Sequence, residues 1–73
     1  MEKEKIVEFF QNEFFSGTYG TIFQGVWKGY EVYSPIYIKG LHIGINNFGL
    51  VKDEVIRMAT YDEAVTLCKD LDI

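Results

Sequence analysis

The groups in this 73-residue chain that could do chemistry are few: one histidine, one cysteine, one glycine-rich loop and two adjacent acid pairs. His42 is the sole imidazole, and a general base needs a carboxylate or a nucleophile beside it. Its neighbours Leu41, Ile43 and Gly44 offer neither, so it reads as a structural or surface histidine. Cys68 falls on the apolar stripe of a C-terminal helical pattern, where thiols act as inert fillers. A reactive thiolate wants a helix N-terminus or cationic neighbours, and Cys68 comes too late in its helix for the first. Ser16-Gly17-Thr18-Tyr19-Gly20-Thr21 has the glycines of a phosphate loop, but such loops follow a strand, precede a helix and end in Lys-Ser/Thr. Here a helical pattern comes first and the lysine is missing, which makes the stretch a helix cap and connector.

The acid pairs Asp53-Glu54 and Asp62-Glu63 fall in a turn and in a first helical turn. Neither has metal-ligand spacing backed by further carboxylates, and one histidine with one cysteine cannot make a structural zinc site. The residues therefore predict no catalytic set, no metal and no cofactor: a non-enzyme.

The elements that would position any site follow from periodicity. Glu2 to about Phe15 is helical, since Ile6, Phe10 and Phe14 repeat every four residues with Val7 on the same stripe. Gly17 is placed for a left-handed cap. Thr21–Trp27 and Tyr30–Tyr33 read as strands around a Lys28-Gly29 turn, with Phe23, Gly25 and Trp27 on one face and Ser34-Pro35 ending the second strand. Ile36–Ile45 (IYIKGLHIGI) alternates apolar residues on either side of Lys39-Gly40. It is a hairpin with its turn there, or one long strand with a bulge there. Phe48–Val51 and Val55–Ala59 flank Lys52-Asp53-Glu54 as a further hairpin. Thr60 with Glu63 three residues on is a capping box, and Ala64, Leu67, Cys68 and Leu71 give a second helix its buried stripe.

Strands joined by hairpin-length turns pair antiparallel. The expected fold is a single α+β domain over residues 1–73, a two-layer sandwich with an antiparallel sheet of four or five strands and both terminal helices on one face. A chain this short hides only about 60% of its unfolded surface, and with one cysteine it has no internal disulfide to help, so self-association is the expected supplement. The uncovered face would then carry Tyr30, Tyr33, Tyr37, Lys39, His42 and Arg57, a tyrosine- and arginine-bearing composition that binding surfaces favour.

Charge narrows the partners. The total is −4, the two terminal segments are acidic and the middle is nearly neutral, which disfavours a phosphate-backbone binder. The chain shows no signal-peptide pattern and no apolar run near the roughly 20 residues that span a bilayer. A reducing, cytoplasmic setting is expected. The αβββα order is similar to that of double-stranded RNA-binding domains at the level of topology. Where those domains carry lysines at the start of the final helix, this chain has Tyr61, Asp62 and Glu63, so the likeness implies no RNA site.

These residues predict a protein-interaction module that forms a homodimer or holds another protein through the open aromatic face or an edge strand. They give no membrane contact, no nucleic acid and no small-molecule ligand. The alternative is an acidic inhibitor, of immunity or nucleic-acid-mimic type, that blocks a basic site with its helix carboxylates.

Overall fold

A computed structural model describes residues 1–38 and 47–73. The order is α1 (Lys3–Glu13), β1 (Gly20–Trp27), β2 (Tyr30–Ile36), β3 (Gly49–Lys52), β4 (Val55–Met58) and α2 (Tyr61–Leu71). The four strands form one antiparallel sheet in the order β1-β2-β3-β4, so the α+β class and the α-β-β-β-β-α order are those the sequence predicts. Of the predicted Ile36–Ile45 stretch, Ile36 ends β2 and Tyr37 and Ile38 lie beyond the strand; residues 39–46, with the predicted turn or bulge at Lys39-Gly40, lie outside the described residues.

Turn chemistry sets the hairpins. Lys28 and Gly29 both have positive φ, 51° and 84°, the backbone sense that matches the twist of paired strands in a two-residue loop. Asp53 and Glu54 do the same at φ 52° and 61° without a glycine. A glutamate there carries a left-handed cost of about 1–2 kcal/mol, while its ion pair with the Met1 amine is exposed at the carboxylate and contributes little. Glu54→Gly is therefore expected to stabilise the chain by about 1 kcal/mol, read as a higher urea midpoint at unchanged slope.

The register fixes which residues share a face. Val32 pairs with Leu50 and Leu50 with Arg57, while Glu31 pairs with Val51 and Val51 with Ile56; cross-strand partners point the same way and successive residues point opposite ways. Val32, Leu50 and Trp27 pack with Ala64 and Leu67 of α2. Val51 packs with Ile6 and Phe10 of α1, joined by Tyr33, Ile56 and Met58. The helices thus lie on opposite faces of the sheet, which corrects the expectation of both on one. Each makes a two-layer α+β pack with the same sheet. The physical reason is in β3, where neighbouring Leu50 and Val51 are 0% and 4% exposed. A strand buried on both sides reads as a continuous apolar run, not an alternation.

Three local expectations also change. A bulge shifts the β1–β2 register between Phe23 and Gly25, so Phe23 joins the α1 face while Gly25 and Trp27 stay on the α2 face. Gly25 has φ +137°, which L side chains rarely adopt. Pro35 does not end β2: among the described residues β3 pairing stops at Tyr33, so the strand is there a local edge, where a missing donor is tolerated. Gly17 is not a left-handed cap: α1 stops at Glu13, Phe14 caps it at φ −123°, and the Phe15 amide donates back to the Phe10 carbonyl at 2.8 Å.

The second helix starts as expected. The Thr60 hydroxyl accepts from the Glu63 amide at 3.2 Å, and the Glu63 carboxylate accepts from the Thr60 amide at 2.9 Å. Half-buried Cys68 and Leu71 pack against the Leu67 side of the core.

Candidate interaction site

Tyr30 and Arg57 belong to the α2 face, and the structure does bring them together. Arg57 forks onto Glu63, donating from Nη1 to Oε1 at 2.7 Å and from Nη2 to Oε2 at 2.8 Å. Its Nη2 also reaches the Tyr30 hydroxyl at 3.4 Å, with Cζ 5.1 Å from the ring centre. The Lys52 ammonium lies 5.4 Å from the same ring centre. Hydrogen bonds to Glu63, then to Tyr30, raise the guanidinium pKa above its ordinary value. The same Arg57 bonds, then the Thr60 amide, lower the Glu63 carboxyl to about 2. Arg57 is therefore a latch between β4 and the start of α2, a bidentate charged contact that fixes geometry.

The latch has a pH signature. Because the folded pKa of Glu63 lies below its unfolded value, its stabilisation is fully present above about pH 4.3 and disappears as pH falls toward about 2. The side chains of Arg57 and Glu63 are 43% and 25% exposed, so screening holds the pair to about 1 kcal/mol. Glu63→Gln should lower unfolding free energy by about that amount at pH 7, with the gap from wild type closing as urea titrations are carried down to pH 3.

Tyr33 is on the other side. Its ring tilts against Phe23 at 5.4 Å and its hydroxyl donates to Glu31 at 3.0 Å; burial, then Glu31, raises its pKa. Tyr37 follows β2 and packs edge-on against Phe14 and Phe15 at 5.4 and 6.2 Å. Lys39 and His42 lie outside the described residues. The predicted tyrosine face is therefore not one surface: Tyr30 with Arg57, Tyr33 and Tyr37 occupy three places, each engaged with its own chain.

The acidic residues are divided too. Glu63 is held by Arg57, and Asp70 accepts from the Trp27 indole Nε1 at 2.8 Å. An open groove of about 500 Å³ between α1 and the start of β1 is lined by Glu4, Val7, Gln11, Tyr19 and Ile36 among others, with no cysteine, serine or histidine among the described residues that line it. Among the described residues no three His, Cys, Asp or Glu side chains gather as a metal would need, and no helix is long and apolar enough to cross a membrane.

The sequence offers an edge strand as a docking surface without naming which strand, and an exposed apolar edge is found at β1. Ile22, Phe23 and Val26 are 49%, 54% and 61% exposed, and among the described residues no strand pairs with the outer side of β1. A long, uncharged, apolar edge is a template for another strand, and proteins usually guard such edges with charge. The signal was present in Gly20–Trp27 (GTIFQGVW), eight residues without a charge in the first strand of a meander. A scan against protein-family models, a search of curated proteins and a search of solved structures give no match to this chain.

Proposed function

We propose that this chain is a small, non-catalytic protein-interaction module of the cytoplasm that docks through the edge of β1. The carrying observation is the set of exposed apolar residues Ile22, Phe23 and Val26 on an uncharged, unguarded edge strand. Its single cysteine suits a reducing compartment. An exposed apolar patch that a partner can cover is the usual mark of a contact surface, and strand addition supplies backbone hydrogen bonds along with side-chain burial. The acidic-inhibitor reading is weaker, because α1 and α2 lie on opposite faces and Glu63 and Asp70 serve their own chain.

Light scattering over a dilution series tests the proposal. The expected result is a molar mass above 8.5 kDa that falls on dilution, or a partner that binds the wild type and not a Val26→Lys variant. A strict monomer that also holds no partner through β1 removes the reading.

A further inference from the structure

We infer that the β1 edge takes a second copy of this chain, strand against strand and antiparallel, about a twofold axis normal to the sheet, so that two four-stranded sheets become one of eight. This rests on the docking proposal above and names its partner.

The two edges of the sheet differ in a way that selects β1. The four residues of β4 include Arg57, and Lys52 at the end of β3 and the Asp53-Glu54 turn stand beside them, so that edge is guarded by charge, whereas β1 has a charge only in the turn after it, at Lys28. In a twofold antiparallel pair a charge close to the axis comes near its own copy, and like charges in that position repel. An uncharged strand escapes this penalty. Copies of net charge −4 repel as wholes, and the edge of β1 is an approach that brings no side-chain charge of the strand itself into contact.

Symmetry then aligns the exposed side chains. An axis normal to the sheet keeps each face on its own side, and the contact is the same patch on both copies. Phe23 and Val26 of one copy come alongside Phe23 and Val26 of the other on the α1 side. With Phe23 opposite the other copy's Val26, Ile22, which pairs with Ser34 two residues on from Val32, comes opposite the other copy's Trp27 on the α2 side. The bulge is the one feature that could spoil a continuous ladder. Its Gln24 side chain donates to the Ser34 hydroxyl at 2.8 Å, toward β2 and away from the outer edge.

Together the three side chains offer roughly 300 Å² of apolar surface per copy, and backbone burial brings the total near the lower bound of about 1,000–1,200 Å² for specific contacts. The dimer is therefore reversible and sensitive to a single charge.

Sedimentation equilibrium on the full chain, from about 5 μM to 1 mM, should show mass rising from 8.5 kDa toward twice that value. Amide exchange within residues 20–27 should slow with concentration. Val26→Lys, and independently Ile22→Lys, should weaken dimerisation at least tenfold while circular dichroism stays native; Val55→Lys on the β4 edge should leave it unchanged. Loss of the dimer in Val55→Lys but not in the β1 variants overturns the inference while keeping self-association. A monomer at every concentration overturns the inference and leaves the docking proposal to a foreign partner.

Discussion

Aspartate at Val51 is expected to unfold the chain as completely as aspartate at Leu50. The two are neighbours on β3, and if both helices covered one face, one of the pair would point to water and accept a charge. Instead Leu50 is enclosed by Trp27, Val32 and α2, and Val51 by Ile6 and Phe10 of α1. An unpaired carboxylate at either place, added to the lost aliphatic burial, costs about 4 kcal/mol or more. A single core of this size supplies only about 3–5 kcal/mol. Both variants should lose native circular dichroism and amide dispersion at 25 °C, whereas Val65→Asp on the exposed side of α2 should keep them. A folded Val51→Asp protein would show that α1 does not cover its face.

The second large effect lies where α1 meets β3. Phe10 is fully buried, and a Cβ placed on Gly49 would stand 2.9 Å from its ring Cζ. The ring lies close over backbone that has no side chain there. Phe10→Ala should cost about 3–5 kcal/mol through lost burial and the cavity left behind. Gly49→Ala should cost about 1–3 kcal/mol through overpacking. The two are one contact, so the costs should not add: in a Phe10→Leu background the Gly49→Ala penalty should shrink by at least about 0.5 kcal/mol. Chemical unfolding of the four proteins checks this. Additive costs would place the strain of Gly49→Ala elsewhere, with Ile56 Cδ1 at 3.4 Å the next neighbour.

The shape of the candidate site follows from the same packing. A tyrosine on a half-buried strand would face water on a bare sheet, but each face has a helix and the rings find partners within the chain. Tyr30 lies under Arg57 and Lys52, Tyr33 against Phe23, and Tyr37 against two phenylalanines of the α1 end. What the helices leave uncovered is an edge, and edges depend on strand order, which no single residue carries. The uncharged run of β1 was legible as a strand. Its place at the margin required the sheet to be assembled.

Local chemistry alone determined much of this protein. The four-residue repeat of Ile6, Phe10 and Phe14 made α1, the Thr60 and Glu63 pair started α2, and Lys28-Gly29 and Asp53-Glu54 closed hairpins, because caps, turns and periodicities are interactions between residues a few positions apart. Tertiary structure decided which side each helix took, since Ile6 and Leu67 are both apolar and either could bury on either face. It also moved Phe23 across the sheet through one extra residue at Gln24, because side-chain direction has a period of two and a single insertion reverses everything on one side of it.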